Sequence, residues 1–258
     1  MKSWDVMYGI NLLKSYLLPG FDSKDARQYF PIERAFPAMQ KIAQDLFRIR
    51  FEQIDPVEAW HSSVSACFVY DNSRGQDELL GRLFFDIYAR EGKSDGASAW
   101  FARPAVPDRQ LAEVILVANL EIEQGACMSY KELRDILHEL GHCVHVLLGK
   151  SRYSRLSGPL ATQMDFMEMP SQMLELWLTE RSLLDFAVNK DGERIPDDVL
   201  DKVLAAEEIG RGIFQSGQLM FAKLAVSCEF LHSHLKTPDL IACFPSWTCT
   251  LLFWNPMK

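Results

Sequence analysis

The segment His138-Glu139-Leu140-Gly141-His142 decides how this chain is interpreted, because it places two histidines four residues apart. In a helix that spacing puts both imidazoles on one face, one turn apart, where they can bind the same metal ion. Glu139 then lies beside the metal and can accept a proton from a bound water molecule. The HExxH pattern is typical of catalytic zinc sites, but it is short, so the flanking residues must support that interpretation.

The flanking residues predict an amphipathic helix over about residues 129–149. At about 100° per residue, His138, His142 and His145 fall on one narrow face, with Glu139 at its edge. The opposite face is aliphatic: Leu133, Leu137, Leu140, Val144 and Leu147. Three histidines on one face favour a zinc site over a core helix whose histidines only bond to their neighbours.

The third metal ligand is not decided by chemistry alone. Catalytic zinc usually has three protein ligands and keeps a fourth position for water or substrate. The metzincin pattern HExxHxxGxxH is excluded, because His145 and Leu148 occupy its glycine and last histidine positions. A carboxylate from a later helix is the alternative, and Asp165, Glu168 and Glu175 are candidates. Glu168 and Glu175 could share a helix face, one as ligand and one as hydrogen-bond partner of a ligand.

Two blocks carry a resemblance to a known family. The first extends the motif to HELGHCVH at 138–145, and the second is DFMEMPSQ at 165–172, followed by Glu175 and Trp177. Together they resemble the thimet oligopeptidase and neurolysin family of zinc metallopeptidases, which includes oligopeptidase A and mitochondrial intermediate peptidase. Upstream segments are similar too: Trp4-Asp5, Tyr29-Phe30-Pro31, Trp60-His61 and Arg90-Glu91-Gly92-Lys93.

The resemblance implies a zinc-dependent metalloendopeptidase. It implies that His138, His142 and Glu168 bind one zinc ion per chain and that Glu139 is the catalytic base. It also implies short, unstructured peptides as substrates, hydrolysed by attack of a zinc-activated water on the peptide carbonyl.

The chain departs from the family pattern in sequence and in length. Pro159 stands where the family has threonine, and the stretch Gly158–Asp165 is one residue longer than the pattern. Family members extend considerably further at both ends. We therefore expect a truncated catalytic domain at residues 1–228 and an atypical tail, without family counterpart, at 229–258.

The glycine- and tyrosine-rich loop that holds substrate in the family has no counterpart in this sequence. A zinc-binding but inactive isoform or fragment, acting as an interaction module, is therefore the alternative to an active peptidase. A structural module with a coincidental HExxH is the third hypothesis. His232 and His234 are two residues apart and would diverge on a helix, so we do not expect them to bind the metal.

The amino-acid composition limits which classes of binding partner and which cellular compartment are expected. The formal net charge of −8 and the lack of a basic run argue against nucleic acid. Six irregularly spaced cysteines form no metal or disulfide pattern, and the position of Cys143 inside the motif helix favours a reduced, intracellular protein. We see no signal peptide and no apolar run long enough for a membrane span. The cytoplasm is the expected location, with the mitochondrion as the alternative.

Hydrophobic periodicity predicts a mainly α fold with a small antiparallel β-sheet. With the resemblance, this indicates a zincin-like (gluzincin) catalytic core in a neurolysin-like helical fold. Helices are predicted over about 4–17, 33–49, 129–149, 160–188 and 196–225, and 91–109 is a predicted loop. Predicted strands are Val64–Asp71, Leu83–Tyr88 and Glu113–Glu121. An edge strand, at Val114–Leu120 or Val64–Asp71, could pair with an extended peptide.

Overall fold

The computed structural model of the protein describes residues 5–121 and 126–234. Two compact units are present: Gly20–Leu204, and a second unit formed from the segments before Gly20 and after Leu204. The helices are α1 Val6–Leu17, α2 Ser23–Arg27, α3 Ile32–Phe47, α4 Tyr130–Leu147, α5 Met164–Met167, α6 Met169–Leu176, α7 Asp197–Glu208 and α8 Arg211–His234. The strands are β1 Ile49–Gln53, β2 Ser65–Asp71, β3 Glu78–Tyr88, β4 Ser98–Arg103 and β5 Ala112–Leu120.

The five strands form one mixed sheet in the order β1-β2-β3-β5-β4. Neighbouring strands are antiparallel except for β3 and β5, which are parallel, so the predicted antiparallel sheet is wrong at this pair. The two strands approach closely at Gly81, where a Cβ atom would lie 2.3 Å from the carbonyl oxygen of Ala112. Only glycine permits this approach without a shift of the backbone.

The sheet corrects the prediction of which strand is free to pair with a peptide. The predicted segments Val64–Asp71 and Val114–Leu120 lie in β2 and β5, which have a neighbouring strand on both sides. The edges are β1 and β4. Neither was predicted as a strand, and β4 lies within the predicted loop 91–109.

Two predicted helices are interrupted. The segment predicted as one helix over 160–188 contains the short helices α5 and α6 and several 3-10 turns. Pro170 stands at the start of α6, where its missing N–H costs no helical hydrogen bond. The segment predicted over 196–225 contains α7 and α8, separated at Gly210, whose φ of +89° ends the helical path.

The HExxH helix is the predicted amphipathic helix. Ser129 and Glu132 form a capping box that satisfies free N–H groups at the start of α4. All five aliphatic residues predicted for its apolar face are buried. They share one core with the inward residues of β5, including Val114 and Leu116. This packing holds the opposite face of α4, with its histidines, away from the core.

The second unit contains α1 and α8. Ile10 of α1 is buried, and a Cβ on Gly210 would lie 2.9 Å from its Cδ1 atom. The predicted tail begins inside α8, which continues to His234, while residues 235–258 lie outside the described part of the chain. The side chains of His232 and His234 are not described either, so the prediction that they do not bind the metal lies outside the described part of the chain. None of the described helices has the length and apolar character that crossing a bilayer requires.

Candidate metal centre

Two imidazoles of α4 and one carboxylate converge on a single point. Nε2 of His138 lies 3.3 Å from Oε2 of Glu168, and Nε2 of His142 lies 3.2 Å from the same oxygen. One ligand atom from each residue lies within 4.8 Å of the others. Zinc bonds of about 2.0–2.1 Å give a tetrahedron with edges of about 3.3–3.4 Å. The three groups therefore fit a zinc ion in both chemistry and spacing.

Glu168 reaches the histidines because it lies at the junction between two short helices. It follows α5 and precedes α6, with φ −91° and ψ −4°. Oγ of the buried Ser171 lies 2.9 Å from both Oε2 and the backbone carbonyl oxygen of Glu168, so its one proton is shared between these two acceptors. Of the other two carboxylates considered from the sequence, Glu175 lies outside this cluster, and the side chain of Asp165 is not among those described.

The glycine of the motif brings the two helices together. A Cβ on Gly141 would lie 2.6 Å from Cα of Ser171 and 2.8 Å from the carbonyl oxygen of Pro170. Real Cβ atoms do not approach other heavy atoms so closely. The first turn of α6 thus rests directly on the backbone of α4, and this contact sets how near Glu168 comes to the histidines.

Glu175 contacts the far side of the first histidine. Its Oε1 atom lies 2.6 Å from Nδ1 of His138. With the proton on Nδ1, the imidazole donates to this carboxylate and directs the lone pair of Nε2 at the metal position that it shares with Glu168. Nε of Arg134 lies 3.7 Å from Oε2 of Glu175 and adds a positive charge behind the pair.

Burial and charge shift the pKa values of the motif residues. Burial raises the pKa of Glu139, while the positive charge of His138 and a backbone hydrogen bond from Ala99 partly oppose it. Burial lowers the pKa of His142, and Glu168 opposes this effect. A carboxylate with a raised pKa is a more effective proton acceptor near neutral pH, and a neutral imidazole is the form that binds metal.

For His138, burial lowers the pKa, but the hydrogen bond and charge of Glu175 act in the opposite direction and prevail. The pKa of His138 is therefore raised overall. The protonated imidazole cannot bind metal through Nε2, so the affinity of the site for metal falls as acidic pH protonates His138.

The third histidine of the predicted face does not join the cluster. Nε2 of His145 lies 3.5 Å from Oγ1 of Thr162, and its ring packs edge to face against Phe166 at 5.8 Å. Both contacts fall on the segment that leads to Glu168. The sequence placed three histidines on one stripe, and the structure brings two of them to the carboxylate.

Sequence reasoning also missed the contribution of β4. This strand packs against α4, and the backbone of its residue Ala99 lies near enough to the Glu139 carboxyl to lower the pKa of that group. The contact uses main-chain atoms, so no residue type in the segment could have signalled it. Beyond β5, β4 pairs with no other strand in the described ranges, so one edge of it has free backbone groups.

A helix carrying HExxH, packed on a second helix whose N-cap residue contributes a carboxylate, defines a candidate metallopeptidase site. Comparison with known families agrees: the model of peptidase family M3 matches residues 1–237. The chain belongs to peptidase family M3.

Individual relatives show the same similarity. Saccharolysin of Saccharomyces cerevisiae is 29% identical over 84% of this chain and 32% of its own length. Oligopeptidase A of Escherichia coli is 29% identical over 86% of this chain and 33% of its own. A mitochondrial intermediate peptidase of Arabidopsis thaliana is 28% identical over 86% of this chain and 34% of its own length. The chain thus spans about a third of the length of these relatives.

Proposed function

We propose that this chain is the zinc-binding catalytic region of a metalloendopeptidase that hydrolyses short peptides, with a zincin-like core of the gluzincin type. The observation that carries the proposal is the convergence of His138, His142 and Glu168 beside Glu139. Membership of peptidase family M3 supports it, as does the naming of one similar relative as an oligopeptidase.

Zinc is the proposed metal, one ion per chain, with His138, His142 and Glu168 as ligands. Two imidazole nitrogens and one carboxylate oxygen are a donor set typical of catalytic zinc, which keeps a further position open. A zinc ion bound there would supply a water molecule of lowered pKa and would polarise the peptide carbonyl.

The side chains of the site have separate roles in the reaction. Glu139 accepts a proton from the attacking water and then delivers it to the nitrogen of the leaving amine, acting first as base and then as acid. Glu175 fixes the tautomer and orientation of His138, and Ser171 fixes the carboxylate of Glu168. These contacts keep the ligands in place so that none has to reorganise during the reaction.

The edge of β4 is the proposed binding place for the peptide. An extended peptide can add to a free strand edge through main-chain hydrogen bonds, which do not depend on its sequence. The strand that would receive it contacts α4 and, through Ala99, the proposed base Glu139. A bound peptide would thus run past the carboxylate that must accept the proton.

The test measures metal content and peptide hydrolysis of the purified chain, with Glu139→Gln as the control. One zinc per chain and turnover that the control abolishes would support the proposal. Zinc without turnover would favour the inactive, interaction-module alternative, and no zinc would refute the ligand assignment. The compartment, cytoplasm or alternatively mitochondrion, stays a prediction.

A further inference from the structure

The segment that joins β3 to β4 is fastened to the sheet by a buried lysine. The Lys93 side chain is only 5% exposed. Its ammonium group donates to the carbonyl oxygens of Asp86 at 2.6 Å, of Tyr88 at 2.9 Å and of Ala118. These three carbonyls belong to the adjacent parallel strands β3 and β5, so the lysine ties the start of the segment to both.

A second side chain fastens the same segment nearer to β4. Nδ2 of Asn119 donates to the carbonyl oxygens of Ser94, at 2.7 Å, and Gly96, at 2.9 Å. An amide nitrogen carries two N–H donors, so this geometry uses both of them on the backbone of the segment. Asn119 is a residue of β5, the strand that pairs with β4.

This arrangement fixes one end of an edge strand. Ser98, the first residue of β4, follows Gly96 by two positions, and Ala99 makes the backbone contact to Glu139. Only β5 pairs with β4 among the described strands, so the position of β4 depends on that ladder, on its packing against α4 and on how its ends are held. An anchored end reduces the conformational freedom that a bound peptide would otherwise have to remove.

We propose that Asn119 is a positioning residue for peptide binding: its amide holds Ser94 and Gly96 so that β4 presents an ordered edge beside Glu139. This inference rests on the proposed function. The Asn119 amide does not pack in the hydrophobic core, because Asn119 is partly exposed while the residues on either side of it, Ala118 and Leu120, are buried. Asparagine is also disfavoured in strands, so the two bonds to the segment account for its presence there.

The first measurement needs no catalysis. Hydrogen exchange of the β4 amides, residues 98–103, is compared between the zinc-loaded parent chain and Asn119→Ala. We expect exchange in β4 to accelerate about tenfold or more, with β2 and β3 unchanged, because the loss of two bonds frees one end of the strand. Asn119→Asp keeps the size but replaces the donors with acceptors, so it should behave in the same way.

The second measurement is peptide binding. Affinity for a short peptide is measured on zinc-loaded Glu139→Gln, which does not turn over, with and without Asn119→Ala. We expect about three- to tenfold weaker binding at unchanged zinc content. In the active chain KM should rise by the same factor, with kcat altered less than about twofold, because the residue acts on binding and not on the chemical step.

Asn189 provides the matched control. Its amide also fastens a loop, donating to Glu193 at 2.9 Å and accepting from the backbone of Asp191. Asn189→Ala should lower the melting temperature without changing peptide affinity. Unchanged exchange and affinity in Asn119→Ala, or equal weakening by Asn189→Ala, would overturn the role of Asn119. A parent chain that binds zinc but no peptide would overturn the proposed function itself. That failure is distinguishable from the failure of the Asn119 proposal, because it appears without any substitution at Asn119.

Discussion

Replacing Gly141 by alanine tests whether the close contact between α4 and α6 sets the metal centre. The new Cβ would lie 2.6 Å from Cα of Ser171, whereas carbon atoms pack at about 3.5 Å or more. The first turn of α6 must therefore retreat by roughly 0.9 Å, the difference between these distances. Glu168 precedes that turn directly and moves with it.

A displacement of this size exceeds what a zinc site tolerates, since ligand distances must hold to within about 0.2 Å. We expect Gly141→Ala to bind zinc at least about 10–100-fold more weakly, the range seen when groups that support the ligands are removed. Overpacking costs about 1–3 kcal/mol and the higher helix propensity of alanine returns about 1 kcal/mol. The metal-free variant should therefore be less stable by on the order of 1 kcal/mol.

Chelator competition measures the zinc affinity, and thermal unfolding of the metal-free chain measures the stability. Gly217→Ala in α8 is the control, because a Cβ there would meet nothing within 4 Å. That control should be neutral or slightly stabilising and should keep its zinc. If Gly141→Ala bound zinc as tightly as the parent and melted no lower, the close contact would not determine the position of Glu168.

Three further predictions follow from individual contacts. Glu175→Gln should fold normally but bind zinc about 10–100-fold more weakly by chelator competition, because it weakens the partner of His138. Asp86→Asn should cost about 3–5 kcal/mol in denaturant unfolding at pH 7, because it leaves Lys93 buried without its counter-charge. The hydrogen bond from the Arg90 guanidinium outweighs the effect of burial and holds the pKa of Asp86 far below its usual range. The stabilisation from the Asp86 carboxylate is therefore lost as pH falls below about 4, and the difference in unfolding free energy between parent and variant should shrink there. Burial raises the pKa of Cys67 to about 11, so the native chain should resist alkylation there at pH 8, and labelling followed by mass spectrometry should require unfolding.

The part of the site carried by one helix could be predicted from the sequence. His138, Glu139 and His142 lie within one turn, and helical periodicity alone places them together. Glu168 came from the resemblance, because residues distant in sequence meet only through tertiary packing. The approach of the Ala99 backbone to Glu139 was not predictable, since any residue supplies the same backbone group.

The strands show the same division between local and long-range information. The predicted segments at 64–71, 83–88 and 113–121 all overlap observed strands, because buried residues follow a local pattern there. β4 was missed: it is short, lies between Gly96 and Pro104, and exposes Trp100 and Ala102. The parallel pairing of β3 with β5 depends on where the intervening chain crosses, which periodicity does not encode.

The strand order has a consequence for synthesis of the chain. β1, β2 and β3 are neighbours in the order in which they are made, so the partner of each new strand has already been synthesised. β4 is made before β5, yet β5 is its partner and separates it from β3. The strand proposed to receive the peptide must therefore wait, unpaired, until residues 112–120 have emerged and joined β3. A nascent chain halted before that point contains the segment of β4 but lacks the strand against which β4 pairs.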